Sequence, residues 1–140
     1  MKVLIFSALI ICLVGADFWE TIENSFSKED LECLEKSHMD KKTFMQYMDK
    51  TLHFPKGDAK LNEVLACTAF AKNALTESGN FKQDMLEKSI NKYLSPFYNK
   101  TDDPDFVSKL SAKCIGVKGE SIGDRMVELH NCLIDSVTKV

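Results

Sequence analysis

The run Leu61-Asn-Glu-Val-Leu-Ala-Cys-Thr-Ala-Phe-Ala-Lys-Asn-Ala-Leu75 carries apolar residues on most sides of a 3.6-residue spiral. Val64, Leu65, Ala66, Cys67, Ala69, Phe70, Ala71 and Ala74 nearly surround it. A helix that is apolar on most sides sits inside its domain, so this segment is expected to be the element on which the others pack. Asp58 opens it, and Glu77-Ser-Gly79 ends it.

Outward from this segment the apolar period stays helical. Phe18, Trp19, Ile22 and Phe26 share one face, and Ser27 with Asp30 reads as a capping pair for a turn with Leu31, Cys33 and Leu34. Asp40 caps a segment with Phe44, Met45, Met48 and Leu52 on one side. His53-Phe-Pro-Lys-Gly57 reads as a loop, because proline and glycine break the pattern. Downstream, Asn80 with Gln83 restarts a helix whose face holds Leu86, Ile90, Tyr93, Leu94 and Phe97. A polar loop over 99–102 precedes Asp103 and Pro104, a cap followed by proline at the first helical position. That helix carries Phe106, Leu110 and Cys114 and stops at Gly116 to Gly119. Ser121 with Asp124 caps a last helix striped by Ile122, Met126, Leu129, Leu133 and Val137. The expected fold is all-α, about six helices around an internal hydrophobic cavity. With three prolines and six glycines, the chain does not suit a many-turned β fold.

The first residues read differently. Lys2 is followed by an apolar run from Val3 to Val14, then Gly15, Ala16 and the polar Asp17. A basic start, a short apolar core and a small-residue exit make residues 1–16 a secretory signal peptide, too short to span a bilayer. The helical domain is then 17–140, one domain of ordinary size. Without Lys2, 17 basic residues face 21 acidic ones, a balance of −4. Nucleic acid and anionic membrane need a basic face, so neither is an expected partner. Nothing after the leader is apolar for long enough to insert stably in a membrane. Cleavage discards Cys12 and leaves Cys33, Cys67, Cys114 and Cys132. An even set in an exported chain reads as two disulfides, and four cysteines allow three pairings.

The spacing of these cysteines resembles that of insect odorant-binding proteins of the pheromone-binding and general type. That family has six cysteines, the second and third separated by three residues and the fifth and sixth by eight. Cys33, Cys67, Cys114 and Cys132 look like the first, third, fourth and sixth. Glu63 stands in the second slot and Gly123 in the fifth. Those two slots pair with each other in the family, so this is the pattern of its four-cysteine Minus-C branch. The resemblance implies the disulfides Cys33–Cys67 and Cys114–Cys132. The segment from Leu75 to Phe81 also resembles the family's turn before its fourth helix. A domain without the middle disulfide is expected to be less rigid. The resemblance implies a carrier, of the kind also found in hemolymph, glands and other secretions.

Nine phenylalanines and six methionines are enough to build a core and also line a cavity. Methionine adapts to varied apolar ligands, and helical domains hold such ligands between facing helices. The ligand-binding candidates are Met48, Phe70, Met85, Ile90, Phe106, Leu110 and Leu133. His38 and His53 are expected to face solvent, and His130, beside the last apolar stripe, to be a partly buried structural residue. The histidines lack metal spacing, so neither a metal nor a cofactor is expected. No nucleophile elbow or zinc-helix signature appears, and Glu128-Leu-His-Asn-Cys132 lacks the adjacent cysteines and His-Asp pair of a secreted phospholipase. Asn99-Lys-Thr101 is a glycosylation sequon in an expected loop. The tail from Asp135 to Val140 is expected to cover the cavity.

The reading is a secreted, non-enzymatic carrier for an odorant, pheromone, fatty acid or terpenoid-like ligand. A receptor contact and a homodimer stay open. The alternative is a salivary, venom or immune protein that uses the same helices to bind a protein partner.

Overall fold

Short polar residues placed just before apolar periodic runs set the helix starts. In the computed structural model, which describes residues 19–139, Ser27 accepts the backbone N–H of Asp30 at 3.2 Å. The Asp30 carboxylate accepts that of Ser27 at 2.9 Å. This reciprocal box follows helix α1 (residues 19–25) and opens α2 (Lys28–Lys36). Asp40 accepts the Thr43 N–H at 2.7 Å and starts α3 (Lys41–Gln46). That bond holds the Asp40 carboxyl below its usual range. Asp58 caps α4 (Ala59–Ala71) through Leu61 N at 2.9 Å. Asp103 caps α6 (Pro104–Cys114), and Ser121 caps α7 (Ile122–Ser136). Between α4 and α6 lie α5 (Gln83–Tyr93) and a 3-10 turn, Ser95–Tyr98. Among the described residues no strand forms beyond an isolated antiparallel bridge, Leu75 to Phe81. The fold is all-α. The expected leader, Phe18 and Val140 lie outside the described residues.

Helix ends depart from the expected ones, each for a local reason. Helix α3 stops at Gln46 rather than running to Leu52. The Asp49 carboxylate gathers Thr51 N–H at 2.8 Å, Thr51 Oγ1 at 2.6 Å and His53 N–H at 3.0 Å into a turn. Leu52 then takes φ +67, and the side chain outcompetes the helix for these donors. Helix α4 stops at Ala71. Asn73 enters the left-handed region at φ +52. Ala74 N–H returns to Ala69 O and Asn73 N–H to Phe70 O, both at 3.0 Å. This is a Schellman closure with asparagine in place of glycine. Asn80 does not cap α5. Its N–H donates to Thr76 Oγ1 at 3.1 Å within the turn that returns at Gly79, and the cap position falls to Lys82, without a side-chain bond. Pro96 ends α5 before Phe97, because it lacks an N–H and its ring collides with the preceding turn.

Helix α4 is central but not surrounded. Leu61, Val64, Leu65, Thr68 and Ala69 are buried, whereas Glu63, Phe70 and Ala71 are exposed. Its most extensive contact is with α7. There Gly123 lies so close to Asn62 that a Cβ on it would stand 2.4 Å from Asn62 O. The Asn62 amide adds a hydrogen bond to Asp124 at 2.6 Å. Helices α5, α6 and α7 close an apolar cluster around Ile90, Phe106, Leu110 and Cys114. Disulfides Cys33–Cys67 and Cys114–Cys132 tie α2 to α4 and α6 to α7. Their loops, closed at separations of 34 and 18 residues, are each worth about 3–4 kcal/mol in the chain-entropy account. No helix among the described residues is long and apolar enough to cross a membrane.

Candidate functional site

The buried apolar residues fall into three clusters, around Ile90 and Leu110, around Leu61 and Val127, and around Leu34 and Val64, which do not meet flush. Residues of all three line a cavity of 310 Å³, at the lower end of the roughly 300–1,000 Å³ usual for small-molecule sites. Helix α4 supplies Val64, Leu65 and Ala69; α5 supplies Met85, Leu86 and Ile90; α7 supplies Met126, Leu129 and Leu133. Phe44, Met48 and Phe54 close one end. These are residues one helical turn apart on three helices, so each helix gives a single stripe to the wall.

The end at Phe54 is held by α7. Asn131 accepts the Phe54 N–H at 2.9 Å and donates to the Phe54 carbonyl at 3.0 Å. His130 Nε2 donates to the Leu52 carbonyl at 2.7 Å. His53 Nε2 donates to the Asp135 carboxylate at 2.6 Å, and Lys56 pairs with Glu128 at 3.0 Å. Four α7 side chains thus pin one loop. His130 also packs its ring 4.3 Å from that of Phe54, and burial pushes it down to about 4, against the opposing effect of the Leu52 bond. It is neutral near pH 7. At the other end the Asp30 and Lys72 side chains pair at 2.8 Å, and Lys72 lies 5.7 Å from the Tyr93 ring centroid. Thr68 and Ser25 also line the wall, but their hydroxyls donate to Leu65 O and Ile22 O.

Of the seven ligand-binding candidates, Met48, Met85, Ile90 and Leu133 converge on this cavity. Three do not. Phe70 is 66% exposed, because α4 turns its cavity stripe through Leu65 and Ala69 and leaves Phe70 above Glu63 on the outer face. Phe106 and Leu110 are buried at 3% and 0%, but α6 spends its apolar face on α5 and α7 and gives nothing to the wall. The tail is not a cover. The helix runs on to Ser136, Val137 packs into the α5–α7 cluster, and no described residue after Ile134 lines the cavity. His38 is exposed as expected, but His53 is held by Asp135. Asn99 is exposed at φ +53, ending the 3-10 turn.

Sequence reasoning missed Phe54, Phe44, His130 and Met126. Met126 stood in the last apolar stripe and was legible there. Phe54 was not, because a loop phenylalanine is buried only once a distant asparagine holds its backbone. Among the described residues no group of three or more His, Cys, Asp or Glu side chains is placed to hold a metal.

No curated protein and no solved structure matches the chain. The model of the PBP/GOBP family matches residues 15–136, almost the whole length, and on that match the protein belongs to the PBP/GOBP family, the pheromone-binding and general odorant-binding proteins.

Proposed function

We propose that the protein is an exported carrier that encloses one small hydrophobic ligand between α4, α5 and α7. The observation that carries this reading is the apolar cavity of 310 Å³, in a domain whose family is named for binding odorants and pheromones. Binding takes ligand surface out of water, worth about 25 cal/mol per Å². Met48, Met85, Ile90 and Leu133, with Phe54, form the contact surface in this proposal. Residues 1–16 act as the signal peptide, and Asn99 is a candidate glycosylation site in the secretory route. In this proposal cleavage leaves four cysteines, the number of the Minus-C branch. The ligand class is an odorant, pheromone, fatty acid or terpenoid. No reaction is proposed.

The rival reading, a secreted protein that binds a protein partner, calls for a broad exposed apolar patch over a filled core. Phe70 and Leu31 are exposed, yet single exposed apolar side chains are ordinary, and the interior is not filled. The test is native mass spectrometry of the secreted protein, with extraction of bound molecules and titration with a fluorescent apolar probe. A retained hydrophobic molecule, or probe uptake at one site with micromolar affinity and displacement by fatty or terpenoid compounds, supports the carrier. An empty protein that takes up no probe refutes it.

A further inference from the structure

The cavity wall contains one hydrogen-bonding side chain whose state can be assigned atom by atom. His130 lines the cavity, and its Nε2 is 2.7 Å from the Leu52 carbonyl. A carbonyl has no hydrogen to give, so Nε2 carries the proton. Burial keeps the ring neutral near pH 7. A neutral imidazole has one N–H, so Nδ1 is a bare lone pair. Among the described residues nothing donates to Nδ1, and it is not sealed either: the buried side-chain polar atoms lacking a partner are Asn62 Oδ1 and Ser111 Oγ. His130 is half-buried and is one of the residues that line the cavity.

From this geometry we infer that His130 turns Nδ1 to the cavity, which therefore prefers a hydrophobic ligand bearing a hydroxyl group, a long-chain or terpenoid alcohol, whose O–H donates to that nitrogen. The inference rests on the carrier reading and narrows its ligand class. An acceptor set among Phe54, Met48, Met126 and Leu133 discriminates by what it lacks. An ether, an ester or a hydrocarbon covers Nδ1 and leaves it without a donor. A carboxylate at neutral pH has no hydrogen to offer and sets its own lone pairs against that of Nδ1. Thr68 and Ser25 already donate within their own helical segments, and Lys72 is engaged with Asp30. Lys82, at the start of α5, and Ser89 and Tyr93 within it also line the cavity.

The experiment is displacement of a bound fluorescent apolar probe, at neutral pH, by a primary alcohol, its methyl ether, the methyl ester and the carboxylic acid of one chain length. In the wild-type protein the alcohol should bind about 5- to 10-fold tighter than the ether, the worth of one buried hydrogen bond. His130→Phe should abolish the difference, and Phe70→Ser, outside the cavity, should keep it. In parallel, the nitrogen resonance of His130 Nδ1 in the wild-type protein should move with the alcohol and stay with the ether, which decides the matter even if the variant does not fold. Equal affinities for alcohol and ether, an unmoved Nδ1 resonance, or an alcohol preference that survives His130→Phe overturns the inference. Failure to bind the probe at all overturns the carrier reading instead.

Discussion

A single buried titratable ring gives this protein a defined response to acid. Unfolded, His130 takes up a proton near its ordinary 6.5; folded, burial delays protonation to about 4. Between these values the unfolded chain binds more protons, so stability falls as pH drops through that window and is fully present above it. The loss attributable to this residue should be up to about 3 kcal/mol. Denaturant titrations at pH 7 and pH 4.5 should show it, and His130→Gln should flatten most of the difference. If the variant's slope matches the wild type's, the ring is not the cause. Phe70 makes the opposite case. At 66% exposure outside the cavity, Phe70→Ser should change stability by no more than about 0.5 kcal/mol and leave probe affinity unaltered. A loss of affinity would mean that the outer face of α4 takes part in binding after all.

At the level of elements, the loop over 52–56 has no apolar period of its own, yet it closes one end of the cavity. It does so because α7 presents Glu128, His130, Asn131 and Asp135 along the edge it shares with the loop. Asn131→Ala would strand the N–H and C=O of Phe54, both buried. The expected cost is about 2–4 kcal/mol, with weaker probe binding as Phe54 is released, measured by thermal melts and titration on the same sample. A variant as stable as the wild type would show that packing of Phe54 suffices without the asparagine. Gly123 lies against the Asn62 backbone, where a Cβ would stand 2.4 Å from oxygen. Gly123→Ala should therefore cost about 1–3 kcal/mol as α4 and α7 are forced apart. An unchanged melting temperature would show that this contact yields freely. What the sequence revealed and what it hid divide along the same line. Caps at Ser27, Asp40, Asp58, Asp103 and Ser121 were readable because each is settled within three residues. The early ends of α3 and α4 were not, because Asp49 and Asn73 win local bonds that apolar periodicity does not register. The stripes naming Met48, Met85, Ile90 and Leu133 were readable as apolar faces, but which faces meet across a gap and which, like that of Phe106 and Leu110, meet each other depends on how the helices pack.

For the molecule as a whole, the ties that hold the helices together are unevenly placed. One disulfide joins α2 to α4 and the other α6 to α7, while the close approach at Gly123 and the Asn62–Asp124 bond join α4 to α7. Helix α5 carries no cysteine, has no side-chain cap, and packs chiefly on α6 and the 3-10 turn, although it forms one wall of the cavity through Met85, Leu86 and Ile90. The wall with the fewest cross-links is the one that opens at least cost. Release is therefore expected to follow movement of α5, not departure of the tail, whose Val137 is anchored at 3% exposure and whose Thr138 and Lys139 are exposed. Removing Thr138 to Val140 should leave the probe off-rate unchanged within about twofold, since a change below that corresponds to less than the energy of one weak contact. Hydrogen exchange on the same protein should show α5 amides exchanging faster than those of α4 when the cavity is empty, and gaining the largest protection when the probe binds. A truncated protein that releases its probe much faster, with α5 exchange insensitive to the probe, would restore the tail as the gate and leave α5 as fixed wall.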